Sequence, residues 1–411
     1  MNLATPPIRL PLRRALDLRL LVLYGIGVTV GAGIYALVGK IAGVAGHLAP
    51  LSFLLAALVA TPTALSFAEL SSRLPTSAGE ATYVRAGLRL PGLALVVGLL
   101  VIFAGIVSSA AIVNAFHGYL QPLLATPRAM TILFVYTVLA ALAVWGIAQS
   151  VAAAGIVTVI EVGGLLLVLA VAVPEARLDG EALRGIAAAL EPAAMFGVLA
   201  GAVLAFYAFL GFEDMVNVAE EVVDAERTLP RGILVTLGIT TLLYAAVASS
   251  AVLVLPPAAL ADLGDPLARV YEAAGGPWPR MINLIAVIAV VNGALIQLIM
   301  ASRVVYGLAR QGALHPALGH VWQRTRTPVA ATALVALVAA GFALWLPLER
   351  LAQIASVTAL CVFALVNLSL IALRRREAAP RGAWRAPAWA PWAGVLASGG
   401  LLAFELWRAL G

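Results

Sequence analysis

Charge is scarce in this chain. Of 411 residues only 11% are Asp, Glu, Lys or Arg, against about 25% in soluble domains. Cysteine occurs once, at Cys361 in a hydrophobic run, which excludes a disulfide framework and a thiolate metal site. The four histidines, His47, His117, His315 and His320, are scattered near predicted loops with no ligand spacing, so no metal is expected. No serine sits in a recognisable nucleophile motif with a histidine partner, and no phosphate-cradling loop is present, which argues against an enzyme and against ATP-driven transport. No basic run is interleaved with aromatics, so the net charge of +6 does not point to nucleic acid. No cofactor is expected.

What the chain has in abundance is apolar length: 63% of residues are hydrophobic and the mean hydropathy is +1.02. Runs near the 20 or so residues needed to cross a bilayer lie at 20–45, 48–70, 92–120, 129–148, 151–173, 193–219, 232–255, 280–308, 329–346, 351–373 and 388–406. An all-α, multi-pass membrane protein of about eleven helices follows, with the lipid bilayer as its first partner. With the N-terminus in the cytoplasm, eighteen basic residues, Arg73, Arg85, Arg89 and Arg374 to Arg376 among them, face inward and eight face outward, as retention of Arg and Lys on the cytoplasmic side requires. The first run is too long for a signal peptide and is expected to stay in the protein. The Pro-bounded connectors at 174–192 and 256–279 would face outward, and the Arg- and Trp-containing stretch at 381–392 suits an interface belt.

Two of the apolar runs are interrupted. Gly31-Ala32-Gly33-Ile34-Tyr35 weakens the first predicted helix at its middle, and Phe206 to Phe212, with Gly211, ends the sixth in an acidic cluster of Glu213, Asp214, Glu220 and Glu221. Lipid cannot bond the backbone groups that such breaks release, and broken helices in corresponding halves mark the binding site of a secondary transporter. Breaks in helices one and six imply two five-helix units, 20–173 and 193–373. They would be flanked by a cytoplasmic segment at 1–19 and a loop with an extra helix at 374–411. An odd repeat length inverts the second unit relative to the first.

Gly31-Ala32-Gly33-Ile34-Tyr35 resembles the first-helix signature of the amino acid-polyamine-organocation superfamily of permeases. Three further stretches resemble that family in order and spacing. They are Ala68-Glu69-Leu70 with Pro75 to Tyr83, Phe206 to Glu213 with Ala219 to Val222 and Arg227 to Ile233, and Ala301 to Gly312. The resemblance implies a leucine-transporter-like inverted repeat that moves amino acids or related amines by alternating access. Helices one, two, six and seven would rock against three, four, eight and nine. It also implies the site: backbone N–H groups of Ala32, Gly33 and Ile34 for the substrate carboxylate, and carbonyls of Thr29, Tyr207 and Leu210 for its ammonium. Tyr207 would cover the substrate, Phe206 or Phe209 would wall the pocket, and Glu213 would take part in gating. Helix N-termini suit an anion for simple electrostatic reasons.

Glu161, near the centre of the fifth helix, departs from family members that carry a lysine at about that point. A carboxylate at that depth is costly and is a functional candidate by default. It is read as a proton acceptor or a counter-charge for a second cation, the alternative being a carboxylate bonded to a neighbouring helix. Sodium is the weaker coupling ion, because only Ser302 offers a hydroxyl near the end of helix eight. Asn292, with Ser108 or Ser109 and Ser356 or Thr358, could reach the pocket. Glu220, Glu221, Asp224 and Glu226 would pair with Arg227, Arg231, Arg73 or Arg85. Neutral, small or apolar amino acids are the favoured substrates, and cationic ones if Glu161 reaches the pocket. A cytoplasmic-membrane symporter or antiporter is the expectation; its rivals are a non-transporting amino-acid sensor and a channel.

Overall fold

Each apolar run is largely helical over its described residues in the computed structural model, which describes residues 16–75, 79–145, 151–187, 191–310, 312–325, 327–380 and 382–410. Thr76, Ser77 and Ala78 of the second motif, most of the segment 1–19, and Arg326 and Arg381 lie outside the described residues. In order the helices are α1 (Leu18–Ala45), α2 (Ala49–Arg73), α3 (Gly79–Leu88), α4 (Pro91–Leu120), α5 (Arg128–Trp145), α6 (Val151–Glu175), α7 (Gly180–Ala187) and α8 (Pro192–Phe209). Then follow α9 (Ala225–Val254), α10 (Pro257–Ala261), α11 (Pro266–Ala273), α12 (Pro279–Arg310), α13 (Val329–Trp345), α14 (Leu348–Arg376) and α15 (Ala390–Leu410). Among the described residues, eight helical stretches are long and apolar enough to cross a membrane; one of them, Gly33–Arg73, runs through the turn at Gly46, while Leu18–Gly31 and Val329–Trp345 are apolar but shorter.

The helices pack in the pattern that an inverted repeat requires. The first, second, third and fourth long helices pair with the sixth to ninth: α1 with α8, α2 with α9, α4 with α12 and α5 with α13. The fifth, α6, lies against α1 and α12, and the tenth, α14, lies against the symmetry-related α8 and α4. Within this arrangement α1, α2, α8 and α9 form one bundle and α4, α5, α12 and α13 another.

Local sequence explains the ends and the irregularities. The Asp17 side chain accepts from Leu20 N at 2.9 Å and caps α1, and prolines open α2, α4 and α8, where a missing N–H costs nothing. Helix α9 starts at Ala225, earlier than the apolar run suggests, and carries Pro230 inside it. Pro230 cannot donate to Glu226 O, and the Ser72 hydroxyl does so instead at 2.7 Å. Both expected breaks are present. Helix α1 has one non-helical residue, Gly31, with φ −8° and ψ −141°. The sixth helix stops at Phe209 and resumes as a 3-10 helix, Glu213–Glu221, so its second half is narrower than an α-helix.

One end of the molecule is closed by a buried polar hub. Glu69, wholly buried, accepts from Arg73 at 2.6 Å, from both Nε and Nη2 of Arg374 and from Ala386 N at 2.8 Å. The hub ties α2 and α14 to the segment before α15, where Trp389 is exposed, and in the first turn of α15 Trp392 lies against the Arg375 guanidinium, 5.7 Å from its ring centre. At the other end α10 and α11 pack against α1, and Lys40 pairs with Glu349 at 2.9 Å.

Candidate functional site

The two helix breaks touch each other. A Cβ on Gly33 would lie 2.5 Å from Ala208 Cα, and one on Gly211 would lie 2.7 Å from Val28 O and 2.9 Å from Thr29 Cα. Such an approach leaves room for glycine alone, and Gly211 also has φ +130°, which L side chains rarely adopt. The Tyr244 hydroxyl of α9 sits between the carbonyls released there, 2.8 Å from Thr29 O and 2.9 Å from Ala208 O. A phenol has one proton to donate. The two oxygens share it, so acceptor capacity remains at the crossing.

Beside the crossing is a narrow cavity of ≈ 50 Å³ between α4, the second break, α12 and α14, room for a few waters. Three acidic side chains, Glu80, Glu213 and Asp214, and Gln297 line it together with Ser108 and Leu210, and among the described residues no basic side chain does. Glu213 accepts from Gly211 N at 2.8 Å, bracing the turn it follows. Asp214 accepts from Gln297 at 3.3 Å and Asn217 at 3.5 Å. Glu80 reaches the cavity from α3, outside the membrane-spanning helices, and burial pushes its carboxyl up to about 7. Phe363 forms part of the wall and is held edge-on against Phe67 and Phe206.

This pair of facing breaks within a repeat of paired helices agrees with the comparison of the chain with known families. The model of the amino acid permease family matches residues 17–406. The chain belongs to the amino acid permease family. These are transporters, not enzymes, within the superfamily whose signatures the two breaks resemble. The branched-chain amino acid permease BcaP of Bacillus subtilis is 29% identical over 89% of this chain and 82% of its own length. The methylthioribose transporter of the same organism is 27% identical over 92% of this chain and 84% of its own length. The mitochondrial cationic amino acid transporter 3 of Arabidopsis thaliana is 32% identical over 88% of this chain, which spans 63% of that relative's length.

In this permease the expected site residues divide. Thr29, Gly33 and Ile34 are buried at the first break, and the backbone of Ala32 lies between them. Leu210 extends the chain at the second break and lines the cavity. The Tyr207 carbonyl accepts from Leu210 N at 3.1 Å, and the Tyr207 hydroxyl donates to Ser108 O at 3.1 Å, spanning the gap from α8 to α4. Phe206 and Phe209 turn away into the core, Phe206 against Phe363 and Phe209 against Tyr244. Asn292 is buried on α12, but that helix lines the cavity with Gln297, Met300 and Ala301. Ser356 donates to Val203 O and Thr358 to Ile354 O, and Ser302 donates to Ile299 O within its own helix.

Glu161 and Glu213 do not share a site. Glu161 is wholly buried on α6, and neither carboxylate oxygen has a hydrogen-bond partner among the described residues, so none of these supplies the bond to a neighbouring helix that the alternative reading needs. Only its backbone carbonyl is engaged, accepting from the Tyr35 hydroxyl at 2.7 Å. Tyr35 follows the first break and Gly27, which packs on Thr158 one turn before Glu161, precedes it. Arg73, expected to face the acids at 220–226, pairs with Glu69 instead, and Asp224 pairs with Arg227 at 4.0 Å. Tyr244, Asp214, Gln297 and Glu80 are the site residues that motif reading did not assign. Glu80 lay within a quoted motif and Asp214 in the acidic cluster after the second break, whereas Tyr244 sits in an apolar helix with no pattern around it.

Proposed function

We propose that this permease carries amino acids across the cytoplasmic membrane by alternating access, in symport with protons or by exchange. The observation that carries the reading is the crossing of the two breaks, where Gly33 meets Ala208, Gly211 meets Thr29, and Tyr244 bridges the released carbonyls. The substrate carboxylate takes the N–H groups of Ala32, Gly33 and Ile34, and its ammonium takes spare acceptor capacity at Thr29, Tyr207 and Leu210. Substrate entering there displaces the shared Tyr244 contact. The bundle of α1, α2, α8 and α9 can then move against that of α4, α5, α12 and α13. Eleven crossings, with the N-terminus inside, fit the distribution of arginine.

Three carboxyls and no basic side chain on the cavity wall favour an amino acid with a cationic side chain over the neutral substrates expected from sequence. One relative of this chain is named for cationic amino acids and another for branched-chain ones. Glu161 is the proton acceptor, because a bare carboxylate in a dry site has reason to bind a proton and no structural partner to lose. Uptake of labelled lysine, arginine and leucine into proteoliposomes, with and without an inward proton gradient, tests both points. Lysine or arginine accumulation stimulated by the gradient is expected. Leucine uptake alone would overturn the substrate class, and binding without uptake under any gradient or preload would make the protein a sensor.

A further inference from the structure

Where α1 begins, on the same face as the Glu69 hub, a cleft of ≈ 320 Å³ opens between the ends of α2 and α14 and the helix α3. Three guanidinium groups, Arg73, Arg85 and Arg89, line it against one carboxylate, Glu377. Arg73 forms the floor. Its side chain is 6% exposed and bonded to Glu69, its Nη1 reaches Glu377 O at 3.4 Å, and its Nε is buried with no partner. An N–H in that state bears the desolvation cost of burial with no acceptor to offset it. Arg85 lies in the last turn of α3 and Arg89 just past its end, and both planar forks line the cleft. Arg85 is exposed, with no carboxylate partner among the described residues. Arg89 holds a left-handed backbone, φ 55°, and pairs with Glu377 at 3.1 Å, both side chains more than half exposed. An exposed pair of this kind is weak and yields to a stronger anion. Arg376 closes the rim by donating to Gly87 O at 2.9 Å. With Arg374 in the hub, five guanidinium groups face two carboxylates, Glu69 and Glu377.

We infer that this cleft binds a phosphate-bearing anion, whose oxygens bridge Arg85 and Arg89 above the fixed charge of Arg73 and displace Glu377 from Arg89. A phosphate offers several oxygens to two forks at once, which Glu377 does not. The walls formed by Leu74 and Leu373 leave an apolar side for the rest of the ligand. That group belongs either to a phospholipid head or to a soluble phosphate. Because α3 carries Arg85 in its last turn, with Arg89 just beyond, and Glu80, in the transport cavity, in its first, occupancy of the cleft fixes the helix that places Glu80. The inference depends on the cleft alone and stands whatever the permease carries.

The test is the thermal midpoint of the full chain in nanodiscs. One arm compares phosphatidylcholine discs with discs that also contain phosphatidylglycerol. The other titrates inorganic phosphate against potassium chloride of equal ionic strength in phosphatidylcholine discs. A rise in midpoint in at least one arm is expected. A response to phosphatidylglycerol alone assigns a lipid head, and a response to inorganic phosphate assigns a soluble ligand. In the Arg85→Gln/Arg89→Gln variant the effective probe should bind about tenfold more weakly or worse. No response in either arm overturns the inference, as does a response that this variant leaves intact. Should the variant not fold, Glu377→Gln carries the test: tighter binding supports the site, and unchanged or weaker binding overturns it.

Discussion

Glu69 and Glu161 are both wholly buried carboxylates on apolar helices, and their surroundings differ sharply. Glu69 is saturated: two arginines and a backbone N–H surround it, and they join α2, α14 and the segment before α15. Glu161 has no partner on either oxygen, and lies beside the crossing of the two helix breaks. A buried charge fully paired is a structural joint; a buried carboxylate left bare is stable only if it can take up and release a proton or another cation. The hub leaves its carboxylate fully paired, whereas the crossing, with one phenolic proton shared between two carbonyls, leaves acceptor capacity free.

Substitution at each region sharpens or breaks that contrast. Glu69→Ala has the largest expected effect on stability, about 3–5 kcal/mol, because it strands two guanidinium groups. The thermal midpoint in detergent reads it, and a small change would mean that the hub is not a joint. Gly33→Ala comes next: its methyl would lie 2.6 Å from Ala208 Cβ, and overpacking of about 1–3 kcal/mol should come with arrested uptake. Gly163→Ala on α6, where the added carbon meets nothing within 4 Å, is the control and should transport normally. Tyr244→Phe removes the shared proton at a cost of about 1 kcal/mol. It should reduce uptake far more than stability, and a fall in both to the same degree would make Tyr244 a packing residue only.

The smallest effect concerns the third acid environment. Glu80 has its carboxyl pushed from 4.5 to about 7 by burial, so between those values the folded protein holds more protons than the unfolded chain. Stability conferred by the protonated form is present at low pH and lost as pH rises through about 7. Melting of wild type between about pH 5 and about pH 8 should therefore show a downward drift that Glu80→Gln flattens. An unchanged drift in that variant would assign the effect elsewhere.

Both breaks were legible in the sequence, because glycine pairs and an apolar run ending in acids are local signals. Glu161 was legible as well, since its depth in an apolar run is a matter of counting. What was not legible depends on which way side chains point across a crossing. Phe206 and Phe209, three residues apart, turn to different neighbours, Phe363 and Tyr244, and Asn292 falls outside the cavity that Gln297 lines. Tyr244 is one aromatic in a long apolar helix, and its role exists only because α9 carries it to the point where Thr29 and Ala208 meet. The 3-10 form of the second half of helix six is likewise set by tertiary packing, with Phe212, Met215 and Val216 wholly buried.

The most direct test of the contrast is the pH dependence of uptake by Glu161→Gln in proteoliposomes, with its thermal midpoint measured alongside. A midpoint within about 1 kcal/mol of wild type, and uptake that no longer responds to an imposed proton gradient, are the predicted results. A variant that melts early like Glu69→Ala, or that keeps the wild-type response to the gradient, would contradict the account.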